Sequence, residues 1–270
     1  MGTQRISIIR PEGDGYSVAT KIVPASAVES EIASARRLLG ENTGDIVVVP
    51  EHLSTTPPSL VLMDVDSTFI NEEVIELLAE HAGKREEVAA VTERAMRGEL
   101  DFAASLHARV ATLEGLSTEI FASVLDAVTF TPGVPAFVRA VQEAGGTVAL
   151  VSGGFEEIVV PLAARLGIDD VLANRLGIED GKLTGQVIGA VVDRRAKAER
   201  LARICEHRGF DPRATVAIGD GANDIDMIEA AGFGIAFCAK PALAEVADAA
   251  VSVRRMDAVW SALTGSPSLV

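Results

Sequence analysis

From residue 60 onward the chain alternates short apolar runs with stretches of helical period. The runs Leu60 to Met63, Thr147 to Val151, Val171 to Ala173, Thr215 to Ile218 and Gly234 to Ala236 are each followed by a helix-like segment. Short continuous apolar strands with helices between them are the mark of a parallel sheet covered on both faces, so the pattern predicts an α/β fold with a Rossmann-like parallel core. Between the first two strands lie roughly 80 residues of almost wholly helical pattern, far more than one crossover needs, which predicts a helical cap inserted over the sheet. A smaller insertion runs from Asn174 to Val192, where Asp180-Gly181 between alternating residues predicts a hairpin.

The first ~50 residues read as a small α+β unit: an apolar run at Ile6 to Ile9, a helix, then Ile46 to Val49. Ser26 and Glu29 have capping-box spacing, Val28, Ile32, Ala35 and Leu39 share one face, and Gly40 sits at the C-terminal cap position. A unit this small is marginal alone and is expected to dock on the main domain or on a second copy of the chain as a homodimer. Turn chemistry at Ser54-Thr55-Thr56-Pro57-Pro58-Ser59 marks the boundary, with His52 in the linker. The pattern thus divides the chain into an N-terminal unit (1–56), a core (57–70 and 131–270) and a cap (71–130).

Composition narrows the partners. At 48% hydrophobic and 23% charged residues over 270 positions the chain has the balance of a globular protein. A net charge of −15 repels nucleic acid and anionic membranes, so neither is expected as a partner, and a small anionic substrate needs a local positive pocket. No apolar run approaches the roughly 20 residues of a membrane span, and no leader pattern opens the chain, which places it in the cytoplasm. Cys205 and Cys238 read as two reduced structural thiols. His81, His107 and His207 lack metal-ligand spacing and read as solvated helix residues.

Three strand ends carry the candidate chemistry. Val61-Leu62-Met63-Asp64-Val65-Asp66-Ser67-Thr68 brings two aspartates out of a buried strand into a turn, where both can face the crevice at the C-terminal edge of the sheet. Ser152-Gly153-Gly154 ends a second strand, and its hydroxyl and amides at a helix N-terminus suit phosphate oxygens. Gly219-Asp220-Gly221-Ala222-Asn223-Asp224 ends a third and supplies the oxygen ligands that magnesium prefers. Each alone is an ordinary turn; together, with Lys197 between the second and third, they make a site.

These motifs, in this order and over about Leu60 to Val253, resemble the haloacid-dehalogenase-like phosphatase superfamily. Asn71-Glu72-Glu73 and the segment from Ala95 through Phe102 to Arg109 are similar to its phosphoserine phosphatase branch. The resemblance implies Asp64 as the nucleophile that forms an aspartyl-phosphate. It implies Asp66 as general acid and base, with a pKa raised relative to its ionised partner. Mg2+ would be held by Asp64, the backbone carbonyl of Asp66 and Asp220, with Asp224 and Asn223 holding its waters or neighbouring groups. Lys197, Ser152 and Gly153 would offset or bind the phosphoryl oxygens. Glu73 would pair with the ammonium of O-phosphoserine and Arg109 with its carboxylate, beneath an apolar wall of Met96 and Phe102.

Rivals remain at this level. The same core can hydrolyse another compact phosphomonoester or pass phosphate to a second alcohol. A glycosyltransferase also uses Asp-x-Asp but leaves Ser152-Gly153-Gly154 and Lys197 without a task. An amino-acid sensor on a dead scaffold would have lost a catalytic aspartate, and both are present.

Overall fold

The computed structural model describes residues 2–40, 44–96 and 101–267, without the side chains at 93, 95 and 96. In chain order the elements are β1 (Thr3–Glu12), β2 (Gly15–Pro24), α1 (Val28–Leu39), β3 (Asp45–Val49), α2 (Glu51–Thr55) and β4 (Leu60–Met63). Four helices follow, α3 (Val74–His81), α4 (Arg85–Met96), α5 (Phe102–Ala111) and α6 (Ile120–Ala127). Then come α7 (Val134–Glu143), β5 (Thr147–Phe155), α8 (Glu156–Ala164), β6 (Asp170–Glu179) and β7 (Lys182–Ile188). The chain closes with α9 (Arg194–Arg208), β8 (Thr215–Gly219), α10 (Ile225–Ala230), β9 (Phe233–Phe237), α11 (Pro241–Ala244), β10 (Ala249–Val251) and α12 (Met256–Thr264).

The central sheet has the order β10-β9-β8-β4-β5-β6-β7, parallel from β10 to β6, with β7 antiparallel at the edge. Its inner strands are buried on both faces because side chains alternate while helices cover each side. Val61, Met63, Leu150 and Ile218 pack with α7, α8 and α12; Leu60, Leu62, Ala149 and Ala217 pack with α9, α10 and α11. The β6–β7 hairpin turns at Asp180 and Gly181, both at positive φ (49° and 73°), as the sequence predicts. β10, three residues long, escapes sequence reading because its signal is too short to separate from a loop.

Between β4 and α7 the four helices α3 to α6 leave and rejoin the core through a narrow neck. Ile70 bridges Phe130, Asn71 N–H donates to Thr129 O (3.0 Å), and Glu72 accepts from the Thr129 amide and hydroxyl (3.0 and 2.6 Å).

The N-terminal unit is a three-stranded antiparallel sheet, β2-β1-β3, with α1. It docks on the core: Ile9, Val47, Val49 and Leu53 join the main apolar cluster, and the buried Ser7 hydroxyl donates to Ala262 O of α12 at 2.7 Å. Strand β2 is missed from sequence because it lies at an edge and is largely exposed, so its apolar alternation is weak. Helix α1 buries the expected face, Ala35 most deeply, and ends at Gly40 (φ 61°). The expected capping box is not formed: Ser26 lies in a preceding 3-10 turn, and Ala27 caps the helix without a side-chain bond.

The linker expectation also needs correction. His52 and Ser54 belong to α2, and Ser54 is a buried anchor whose hydroxyl accepts from Arg5 N–H (2.8 Å). Among the described residues no helix is long and apolar enough to cross a membrane.

Candidate active site

β4, β5 and β8 deliver their C-terminal ends to one cavity of 370 Å³, over which α5 lies. This is near the lower limit of the roughly 300–1,000 Å³ common for small-molecule sites, so the occupant is compact.

Asp64 leaves β4 with its amide still paired to Ile218 O (2.9 Å), which fixes its carboxyl at the cavity floor. Lys197 reaches it from α9: Nζ lies 2.5 Å from Asp64 Oδ1 and 2.6 Å from Asp224 Oδ1, with all three side chains buried. Lys197 is thus buried in the site, although Arg194, Arg195 and Arg200 surround it in sequence. Helix α9 is started by Asp193, whose carboxylate accepts from Ala196 N–H (2.8 Å), so Lys197 sits at the end of the first turn, facing the sheet. Burial disfavours the Lys197 ammonium, but Asp64 and Asp224 more than offset this, and its pKa lies above the ordinary lysine value.

Asp66 stands two residues on, its Oδ1 accepting from Val74 N–H at the start of α3 (3.0 Å). The turn between them places Ser67 at φ 59°, and the Ser67 hydroxyl donates to Glu73 Oε1 (3.0 Å). Burial and then the nearby Glu73 push the Asp66 carboxyl up to about 7. Burial, then Asp224, raises Asp64 well above the usual carboxylate range, with Lys197 opposing.

Asp64, Asp220 and Asp224 bring one carboxylate oxygen each within 4.8 Å of one another, all three buried. Asp224 Oδ2 accepts from the Asp220 and Gly221 amides (3.2 and 3.1 Å). A Cβ on Gly219 would stand 2.5 Å from that oxygen, so only glycine lets Asp224 fold back beneath the strand end. Burial and then Asp224 raise the Asp220 carboxyl to about 6. Among the described residues Lys197 is the only buried ammonium or guanidinium facing this group, which leaves excess negative charge and an all-oxygen donor set suited to a hard divalent cation.

On the opposite wall, Gly153 and Gly154 line the cavity, and behind them the buried Ser152 hydroxyl accepts from Gly154 N–H (2.7 Å), which leaves its own proton outside that bond. These amides do not sit at a helix N-terminus as expected. They belong to an irregular end of β5, and α8 begins only at Glu156.

From the cap, Phe102 and Arg109 line the cavity with Leu106 and Ile75. A Cβ on Gly153 would lie 3.1 Å from Phe102 Cζ, so the ring rests directly over that glycine. Arg109 Nε donates to Ser105 O (3.3 Å); burial lowers its pKa, and Glu73, Asp66 and Glu76 oppose that. Asn223 and Glu73 also line the cavity. Met96 ends α4, but its side chain lies outside the described residues, as do residues 97–100.

Two residues unremarked in the sequence join the site. Lys240 stands at the mouth, Nζ 4.0 Å from Asp220 Oδ2, and Asn174 lies buried behind the β5 end. Neither has a motif, and only the sheet order brings them there. His52, His81, His107 and His207 are all exposed on helices away from the cavity lining.

Residues 61–229, well over half of the chain, match the family model of the haloacid dehalogenase-like hydrolases. The chain belongs to that family. Phosphoserine phosphatase of Streptomyces coelicolor is 48% identical over 249 residues, covering 90% of this chain and 60% of the relative. Phosphoserine phosphatase of Streptococcus thermophilus is 52% identical over 182 residues, 67% of this chain and 85% of the relative. A solved phospho-aspartyl intermediate analogue of phosphoserine phosphatase superposes with a TM-score of 0.71 at 42% identity, over 76% of this chain and 99% of that one. The chain spans about 60% of the length of some curated relatives, the Streptomyces protein among them.

Proposed function

We propose that the chain hydrolyses O-phosphoserine to serine and phosphate, the step that ends serine biosynthesis, through an aspartyl-phosphate on Asp64. The observation that carries this is the pairing of Lys197 with Asp64 at the floor of a 370 Å³ cavity whose cap wall carries Arg109. The phospho-aspartyl analogue described for a 42% identical relative supports the same nucleophile chemistry.

In the first half-reaction Asp64 attacks phosphorus, the bond to the seryl oxygen breaks, and Asp66 gives that oxygen its proton. In the second, water attacks phosphorus, Asp66 takes the water's proton, and the bond to Asp64 breaks. A carboxyl titrating at about 7 is suited to both transfers. The Ser152 hydroxyl and the Gly153 amide hold phosphoryl oxygens, and Lys197 offsets their charge. Glu73 faces the substrate ammonium and Arg109 its carboxylate, while Phe102 excludes water.

Asp64, Asp220 and Asp224, with the Asp66 carbonyl, would hold Mg2+, and Asn223 a neighbouring group. When bound, the cation offsets the repulsion between carboxylate and phosphate.

The partner is thus a small molecule. The two free cysteines support a reducing, cytoplasmic setting. For a homodimer, β2 is the candidate surface, its outer edge unpaired among the described residues; sedimentation tests it.

Phosphate release from a panel of phosphomonoesters, phosphoserine and phosphothreonine among them, with and without magnesium, tests the reading. Metal-dependent preference for phosphoserine is expected. Preference for another ester would keep Asp64 and Asp66 in place and overturn the substrate, and silence across the panel would overturn both.

A further inference from the structure

Near its C-terminal end β5 bulges away from β6 and rejoins it at Phe155. Val151 pairs with Leu172 and Phe155 with Asn174, so four steps along β5 are matched by two along β6; Ser152-Gly153-Gly154 are looped out of the ladder, and Gly153 and Gly154 line the cavity. Looping exposes backbone amides to a ligand but strips the buried carbonyls of their ladder partners. The Asn174 side chain replaces what the ladder lost. Buried to 1% exposure, it donates from Nδ2 to Gly153 O (2.8 Å) and accepts at Oδ1 from Val192 N–H (2.8 Å). One partner needs a donor and the other an acceptor, so the amide has a single orientation.

We infer that Asn174 is the positioning residue that holds the phosphate-binding loop in register with the lysine helix. The peptide unit between Gly153 and Gly154 is fixed at both ends: its carbonyl by Asn174, its N–H by the Ser152 hydroxyl (2.7 Å). That second bond in turn leaves the Ser152 proton free for a phosphoryl oxygen. Val192 immediately precedes Asp193, the cap of α9, so the other half of the same amide ties down the start of the helix that carries Lys197. One buried side chain therefore sets the distance between the donors of the β5 loop and the ammonium on α9. This rests on the phosphatase reading of the cavity.

The test compares Asn174→Ala, which removes both bonds, with Asn174→Asp, which keeps the shape and the Val192 acceptor but sets a carboxylate against Gly153 O. Each is read by binding of inorganic phosphate, by kcat/KM on phosphoserine, and by a thermal melt. Phosphate binding is expected to weaken by about tenfold to hundredfold in both, the worth of one to two buried hydrogen bonds. In Asn174→Asp the deficit relative to wild type should shrink as pH falls, because the protonated carboxyl donates again; a merely structural defect has no reason to do so. Folded variants within about twofold of wild type, or a deficit in Asn174→Asp that ignores pH, would overturn the inference. Should neither variant fold, the Asn174 side-chain amide resonances of the wild type must shift when phosphate is added, and no shift overturns it. Since phosphate binding is read separately, a wild type inactive on phosphoserine would sink the substrate reading and leave this test intact.

Discussion

Lys197 Nζ lies 2.5 Å from Asp64 Oδ1 with both side chains buried, and its other contact is Asp224, at 2.6 Å. One ammonium thus holds together a carboxylate from β4 and one from the loop after β8. Removing it leaves two buried carboxylates facing each other. Lys197→Ala is expected to destabilise the metal-free protein by about 3–5 kcal/mol, the usual cost of breaking a buried ion pair on one side. Its turnover should fall by roughly a hundredfold or more, since the phosphoryl charge is no longer offset. Denaturant unfolding in chelator and steady-state kinetics check the two halves; unchanged turnover would remove Lys197 from the chemistry.

Asp64→Asn keeps the shape and the end of β4 but replaces the nucleophilic oxygen. Quenched reactions with labelled phosphoserine should trap phosphate on the wild-type chain and none on the variant, with turnover reduced to background. Labelling that survives the substitution would place the nucleophile elsewhere.

For Asp66 the sign of the pH dependence follows from its environment. Burial, then Glu73, lifts its carboxyl from 3.8 to about 7 in the metal-free protein. A carboxyl with a raised folded-state pKa contributes its stability fully below the unfolded value, and that contribution is lost as pH rises through the folded one. Wild type should therefore lose stability relative to Asp66→Asn between about pH 4 and pH 7. Thermal melts of both proteins in chelator, run across that window, measure the difference, and a constant gap would contradict the raised pKa.

Arg109 projects from α5 into the cavity beside Glu73 and Asp66, held by its bond to Ser105 O. Arg109→Ala should raise KM for phosphoserine by about tenfold to a hundredfold, the worth of a charge-assisted pair of about 1.5–3 kcal/mol. An ester lacking the carboxylate should be affected little. Competition between the two esters in one reaction reports the ratio directly, and an unchanged ratio would take Arg109 out of substrate recognition.

How far these features could be read in advance depended on whether chemistry and period coincided. Leu60 to Met63 is an apolar run that ends in Asp64, so strand, strand end and candidate nucleophile were legible together, as were Gly219 to Asp224. Lys197 was legible only beside the other motifs, because Arg194, Arg195 and Arg200 give the same stretch of α9 the look of a solvated helix. Asn174 was invisible: a single polar residue in a strand acquires its role only when β6 pairs with a looped-out β5. Ser26 and Glu29 show the opposite error, a correct spacing whose local bonds lost to a 3-10 turn. β2 was hidden by exposure, since an edge strand with little to bury carries little period.

The N-terminal sheet, which the family motifs do not touch, reaches the cavity through a short chain of contacts. Asp45 of β3 accepts from the Ser252 amide and hydroxyl (2.7 and 2.8 Å) and from Val253 N–H (3.3 Å). The next residue, Arg254, donates to Asn71 Oδ1 (3.2 Å) and Ser67 O (3.4 Å), and the Ser67 hydroxyl holds Glu73 (3.0 Å). Releasing the 252–254 loop should loosen Glu73 without disturbing Asp64 or Lys197, which hang from β4 and α9. Asp45→Ala is expected to cost about 1–2 kcal/mol of stability through its lost hydrogen bonds. KM for phosphoserine should rise about twofold to tenfold with kcat nearly unchanged, because binding rather than the transition state loses a contact. Arg254→Ala should reproduce the KM effect with a smaller loss of stability, its bonds being exposed and long. If Asp45→Ala lowers stability but leaves KM where it was, the sheet is a docked support and the contacts through Arg254 carry nothing to the site.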